Sequence, residues 1–254
     1  ADCPKEGVKM CGRLNVTDCE GVRALMEGLQ IRLWPETGPI FSRVITAANT
    51  VSIVLENAHG QREMHNALWW LLLEPRISNG AVVDFKPSKY TSFNTRYDKL
   101  NVKRSAGYQS FRSMRCVIPA AGFGETEGKG SQARYTDFTV FTQDKPPHAM
   151  AMGGLYRIWQ YKGQDNTNHY KVSCSVVTLP AHPKMEKYHS KSSPLVLSHN
   201  DGSIDTWLDS GLTDTRALAW LLKPKLRHSL VAHPIVRPTQ PESVGEDTLL
   251  MADN

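Results

Sequence analysis

The arrangement of strand-forming runs constrains this chain more than any other feature of its sequence. Runs that are rich in Val, Ile and Thr or continuously apolar recur at residues 44–55, 67–73, 136–142, 150–159 and 171–178, with Gly-rich or polar turns between them. Helix signals are fewer and mostly short. Residues 17–29 read as one helix, because Thr17 with Glu20 makes a capping-box pattern and Val22, Leu25, Met26 and Leu29 fall on one face. Shorter helices are expected at 183–188, 204–209 and 213–222, the last closed by Pro224. Strands and helices mix without a strand–helix–strand rhythm, which gives an α+β fold class. The 254 residues, 40% of them hydrophobic, are enough to bury one large core, and no repeat, heptad or interdomain linker divides them. Residues 125–132, with two glycines and mixed charge, are expected as a mobile loop, and the Pro-containing stretch from Arg237 as a surface extension.

Several classes of protein are disfavoured. The longest apolar run, 67–73, is seven residues, far short of the roughly 20 needed to span a bilayer. The first ten residues have no apolar core, so they do not form a secretory signal and a cytoplasmic setting is expected. The five cysteines form an odd set without a CxxC pair, which argues against a disulfide framework and a Cys-rich zinc site. Nine histidines show no HxxxH spacing with a third ligand nearby, so no metal or other cofactor is expected. The net charge of +5 is unevenly spread, with ten Lys or Arg between residues 86 and 135 against Asp98, Glu125 and Glu127. Such a patch is the footprint of a nucleic-acid binder or simply a solvated basic surface, and charge alone does not choose between them.

Motifs make the choice. Met10-Cys11-Gly12-Arg13, Asn94-Thr95-Arg96, the segment Arg115-Cys116-Val117-Ile118-Pro119-Ala120-Ala121-Gly122-Phe123-Gly124-Glu125, Gly154-Leu155-Tyr156, and His189 ahead of Pro194-Leu195-Val196-Leu197 follow one another in order along the chain. Together they resemble the SOS-response-associated peptidase (SRAP) family, in a divergent, phage-related form. The resemblance implies mixed β-sheets forming an open barrel with flanking helices. It implies a leader or extension at 1–10, a single domain at 11–238 and a tail at 239–254. It also implies a monomer that senses abasic sites in single-stranded DNA and captures them as a thiazolidine through an N-terminal cysteine, nucleoid-associated if bacterial or phage.

Residue by residue, the resemblance makes Cys11 the nucleophile, Asn94 the group that orients its amine, and Glu125 and His189 the acid–base pair. Arg13 and Arg96 would hold phosphates, with Lys99 and Arg104 extending the DNA contact. Trp69 and Trp70 would either stack on a base or fill a buried strand. The residue types suit the chemistry. An α-amine has a pKa of roughly 8, so a useful fraction is neutral near pH 7 and able to attack an aldehyde. A thiol of pKa roughly 8.5 beside cations then closes the ring. Without the motifs, Cys11 would read as a small buried hydrophobe, Glu125 as a solvated carboxylate, Asn94 as a turn residue and His189 as a helix-end cap. Cys116 and Cys174 read as core.

The chain departs from the family at several points. Cys11 follows ten residues, so its α-amine is freed by a start at Met10, freed by cleavage of a leader, or not freed at all; the start at Met10 is the favoured reading. The family's Phe-Tyr-Glu-Trp is Phe123-Gly124-Glu125-Thr126 here, which removes two aromatics beside the acid–base group. Four residues separate His189 from Pro194 where the family has three, and Lys191 takes the place of an Arg. Two further functions are consistent with the sequence: a cysteine-dependent peptidase that removes its own leader, and a single-strand-binding relative without chemistry.

Overall fold

The computed structural model describes residues 12–143, 148–163 and 166–254. Its strands are β1 (Arg13–Val16), β2 (Ser42–Thr46), β3 (Thr50–Glu56), β4 (Arg62–Leu68), β5 (Leu73–Ser78), β6 (Ala81–Pro87), β7 (Asn94–Arg96), β8 (Arg115–Ala120) and β9 (Gly122–Glu127). The chain continues with β10 (Arg134–Val140), β11 (Met150–Lys162), β12 (Asn168–Leu179), β13 (Ser193–Pro194), β14 (Val196–Leu197), β15 (Leu230–Arg237), β16 (Gln240–Ser243) and β17 (Thr248–Leu250). Three α-helices, α1 (Glu20–Gly28), α2 (Ser110–Ser113) and α3 (Ser203–Leu208), accompany them. The expected α+β class and barrel architecture are present.

Strands β12, β4, β3, β8 and β11 form a closed ring, because β11 pairs back onto β12 over nine residue pairs from Gly154–Val176 to Lys162–Asn168. The ring is otherwise antiparallel; β12 and β4 meet in parallel at Ser173–Leu68. A second sheet, in the order β16-β15-β10-β9-β1-β2, curls over one side of the ring as a half-barrel. Leu14, Ile118, Phe123, Phe138 and Val176 fill the space between the two sheets. Val22, Leu25, Phe111 and Trp207 cover the ring's other side under the helices. Alternation makes this possible: Leu14 and Val16 point inward from β1 while Arg13 and Asn15 point out.

Arg115, at the start of β8, ties this second layer together. Its side chain is buried, and its donors reach five backbone carbonyls: Phe111 and Arg112 at 2.9 Å, Trp207 at 2.7 Å, Asp209 at 2.5 Å and Leu212 at 2.9 Å. The Phe111, Arg112 and Trp207 carbonyls belong to the ends of α2 and α3, where acceptors lack partners within the helix, and those of Asp209 and Leu212 to the turn after α3. Asp253 does similar work near the site. It accepts from Lys184 Nζ at 2.7 Å and the Leu226 amide at 2.9 Å, and pairs with His182 Nε2 at 2.8 Å. Burial alone would raise this carboxyl, but the hydrogen bonds from Lys184, Leu226 and His182 bring it down to about 2.

Four local expectations are corrected. The capping box does not form: Cys19 is the N-cap of α1, and Thr17 instead donates to Asn15 Oδ1 from its amide and hydroxyl. The run 67–73 is no single strand; β4 stops at Leu68 and β5 starts at Leu73, although Trp69 and Leu71 between them are fully buried. Glu125 lies in β9, paired with Thr136 of β10, rather than in a mobile loop. The stretch after Arg237 folds back as β16 and β17, both paired to β15. No helix of the described residues is long and apolar enough to cross a membrane.

Candidate functional site

The candidate site forms where β9 of the half-barrel passes the segment that follows β12. Phe123, Glu125 and Glu127 share one face of β9 by the period of two, and Phe123 sits in the core. Glu125 therefore points inward, with its side chain 2% exposed. After β12 the chain makes a 3₁₀ turn, Pro183–Met185, and the His189 amide donates to the Met185 carbonyl at 3.0 Å. His182 caps this turn by accepting from the Lys184 amide, and Asp253 holds His182 in turn. The fixed turn delivers His189, also 2% exposed, to the two carboxylates. His189 Nδ1 lies 3.7 Å from Glu125 Oε2 and 3.6 Å from Glu127 Oε2. Burial lowers the pKa of His189; the Glu127 charge and the Thr126 carbonyl work against that shift, and Lys191 adds to it.

The orienting residue expected from the sequence, Asn94, starts β7, which runs parallel to β12 with Asn94 opposite Val176 and Arg96 opposite Thr178. Thr95 faces the other way, into the core, where its hydroxyl meets that of Ser175 at 2.8 Å. Asn94 and Arg96 consequently share a face, about 7 Å apart along the strand. Arg96 then opens a cleft of about 280 Å³ with Tyr97, Thr178, Leu179, Pro180, Lys191 and Ser192. Its guanidinium is exposed and bound to both oxygens of Asp98, at 3.0 and 2.9 Å. Lys99 and Arg104 are exposed on the loop beyond, Arg104 with a left-handed backbone at φ 68°.

The two tryptophans separate. Trp69 is fully buried, edge-on to Phe93, with its indole N–H donating to the Phe93 carbonyl at 2.8 Å. It is a core residue and no base can stack on it. Trp70 is half-buried, with its ring 5.6 Å from that of Phe93, the neighbour of Asn94.

Arg13 also requires correction as a phosphate contact. Its side chain is buried on the outer side of the half-barrel, bonded to Asp137, which also holds Arg43 at 2.8 Å. Gly124 opposite it makes the room: a Cβ there would fall within the Arg13 guanidinium. The tyrosine that the family resemblance led one to expect at 124 is thus incompatible with this placement of Arg13. Gly124→Ala should cost about 1–3 kcal/mol through overpacking. Urea denaturation of Gly124→Ala, Arg13→Ala and the double variant tests this, since removing Arg13 should make the added methyl nearly neutral.

Cys11, the expected nucleophile, lies outside the described residues, as does Met10. The described chain starts at Gly12, and β1 begins with Arg13 opposite Gly124, so the backbone leading into β1 comes in beside the Glu125 end of β9. Cys116 and Cys174 are fully buried, and burial pushes both thiols up and keeps them protonated. They belong to the core, as expected. Glu127 and Ser192 were not singled out from the sequence; reading 122–127 as a strand would have placed Glu127 on the face of Glu125.

The family model for SOS response associated peptidase (SRAP) matches residues 10–239. Among curated proteins, the abasic site processing protein HMCES of Xenopus tropicalis is 26% identical over 164 residues, covering 59% of this chain and 47% of that protein. HMCES of Gallus gallus is 27% identical over 180 residues, covering 64% and 50%. The chain thus spans about half the length of the curated relatives it matches. Among solved structures, a protein of Bordetella bronchiseptica aligns with a TM-score of 0.64 at 18% identity, over 89% of this chain and 100% of that one. A protein of Bacteroides thetaiotaomicron aligns with a TM-score of 0.61 at 17% identity, over 89% and 96%. These likenesses concern the fold.

Proposed function

The chain belongs to the SOS response associated peptidase (SRAP) family, and from that premise we propose that it captures abasic sites in single-stranded DNA as a thiazolidine on Cys11. The observation that carries the reading is the buried Glu125–His189 pair at the point where the chain leads into β1. A carboxylate and an imidazole held out of water supply the proton transfers that imine chemistry on an aldehyde needs. The naming of the HMCES relatives for abasic-site processing supports the choice of substrate.

In this reading the ring-opened abasic sugar presents its aldehyde to the α-amine of Cys11. Nitrogen attacks the carbonyl carbon; Glu125 gives a proton to the resulting hydroxyl, water leaves, and a C=N bond forms. The bond formed is a protonated C=N; the Cys11 thiol gives up its proton as the sulfur adds to the imine carbon, and a five-membered ring with a neutral nitrogen closes with the loss of one water overall. Asn94 orients the amine, and His189 returns the proton to Glu125. Arg96 exchanges Asp98 for a phosphate at the cleft where Lys191 and the Ser192 hydroxyl supply further donors. Lys99 and Arg104 extend the contact along the backbone, and Trp70 with Phe93 offers a surface for a base. The protein works as a monomer and without a cofactor.

The α-amine must be free, because an amide nitrogen cannot form an imine. The test is intact-mass analysis of two chains, one of 254 residues and one beginning at Cys11, after incubation with single-stranded DNA carrying one abasic site. Gain of the DNA mass, less one water, by the Cys11-first chain alone is the expected result. No adduct with either chain would sink the reading, and loss of ten residues from the longer chain without an adduct would favour the peptidase instead.

A further inference from the structure

Two carboxylates, not one, face the ring of His189, and they differ in access to water. Glu125 is 2% exposed and Glu127 25%, while the His189 side chain between them is 2% exposed. The same ring atom, Nδ1, stands nearly midway between them, at 3.7 Å from the inner carboxylate and 3.6 Å from the outer. Both distances exceed a hydrogen bond, and a small swing of the ring closes either one. Glu127 is itself held in place: its two oxygens accept from the Ser190 amide at 3.2 Å and the Ser190 hydroxyl at 3.1 Å. Ser190 directly follows His189, so the outer carboxylate is anchored next to the residue it serves.

We propose that Glu127 is the outer member of a proton relay, Glu125–His189–Glu127, through which the buried acid of the site exchanges protons with solvent. This rests on the reading of Glu125 and His189 as the acid–base pair. Each turn of the relay is balanced. Glu125 loses a proton to the departing hydroxyl; His189 gives its Nδ1 proton to Glu125 and becomes neutral; the ring takes a proton from Glu127, which has taken it from water. When the sulfur adds to the protonated imine, the nitrogen becomes neutral, the released thiol proton runs back along the relay to water, and no proton is consumed overall. Without an exposed partner, Glu125 and His189 could trade one proton between themselves but could not replace it from water, because neither has appreciable contact with it.

Glu127 is a positioning residue in this scheme, since it acts through His189 and touches no reacting atom. Among the described residues, His189 is faced by Glu125 and Glu127 from β9 and the Thr126 carbonyl between them, with Lys191 two residues on; the neighbouring Tyr188 packs its ring edge-on against Phe138 of β10. The Glu127 charge works against the burial of the imidazole. Glu127→Gln keeps the shape and an oxygen for Ser190 but removes that charge.

The experiment uses the chain beginning at Cys11, labelled with 13C-histidine, in wild-type, Glu127→Gln and Glu127→Asp forms. The His189 ring resonance is followed by NMR from pH 4 to 9, and adduct formation on abasic single-stranded DNA is timed over the same range. Glu127→Gln is expected to move the His189 midpoint to lower pH, to slow the adduct roughly tenfold, and to shift the acidic limb of the pH–rate profile in step; Glu127→Asp restores most of each. An unchanged midpoint overturns the proposal, and so does a shifted midpoint with an unaltered rate profile. If the wild-type chain forms no adduct, the crosslinking reading fails by itself, and the NMR midpoint still decides whether Glu127 governs the proton on His189.

Discussion

Cys11→Ser, in a chain that begins at residue 11, is expected to lose the stable DNA adduct completely while keeping a transient species that borohydride traps. The substitution leaves the α-amine in place, so the imine with the abasic aldehyde still forms. What disappears is the second nucleophile. A thiol of pKa roughly 8.5 has an accessible thiolate near neutral pH, whereas an alcohol does not, and an oxygen ring would reopen by hydrolysis. Cys116 and Cys174 cannot substitute, because they are fully buried and held protonated, and ring closure needs the thiol on the same residue as the amine, which Cys19 does not offer. A denaturing gel with and without borohydride reads both species. A heat-stable adduct from the variant without reduction would rule out the thiazolidine and leave a Schiff-base protein in its place.

The second large effect is structural. Arg115→Lys and Arg115→Met are each expected to destabilise the fold by about 3–5 kcal/mol, since each buried carbonyl left without a donor costs about 1–3 kcal/mol. Five carbonyls converge on this guanidinium. An ammonium carries three donors on one atom and cannot span acceptors that come from α2, α3 and the turn after α3; methionine carries none. The burial that lowers the Arg115 pKa signals the same environment, a cation surrounded by backbone instead of water. For a chain of this size the midpoint of thermal unfolding should fall by roughly 6–20 °C. A fall of less than about 2 °C in calorimetry would mean that the carbonyls find water instead, and that the network is dispensable.

These residues also indicate what could be read before any coordinates. The helix α1 was legible because Val22, Leu25 and Met26 repeat at helical spacing and all are buried. The long strands β11 and β12 were legible from β-branched and apolar density, and the family motifs brought Glu125 and His189 together across 63 intervening residues. The pairing itself was carried by the motifs, because neither period nor composition reports which distant residues meet. The misreadings have physical causes. The run 67–73 is apolar throughout, and an uninterrupted apolar run carries no period to distinguish a strand from a buried corner. Residues 125–127 looked like the start of a loop because Gly122, Gly124, Gly128 and Gly130 surround them, yet Gly122 and Gly124 are strand residues that lie against neighbours with no space for a Cβ. Arg13 looked like a phosphate ligand because its partner, Asp137, is 124 positions away. Glu127 was invisible as a site residue for the same reason that Glu125 was placed in a loop.

The closure of the ring between β11 and β12 has a consequence for the order in which this protein can be built. A chain emerging from the ribosome delivers β3 and β4 early, and β12, the strand that β4 meets to close the ring, lies more than a hundred residues further on. Pairings of such long sequence separation bear the largest loop-closure cost and form late. Asn94 depends on β12 for its position, and His189 is synthesised after β12 ends. In the proposed reaction the Cys11 thiol is therefore synthesised well before the carboxylate, amide and imidazole that would direct it, so the site is completed only once β12 and His189 have been made.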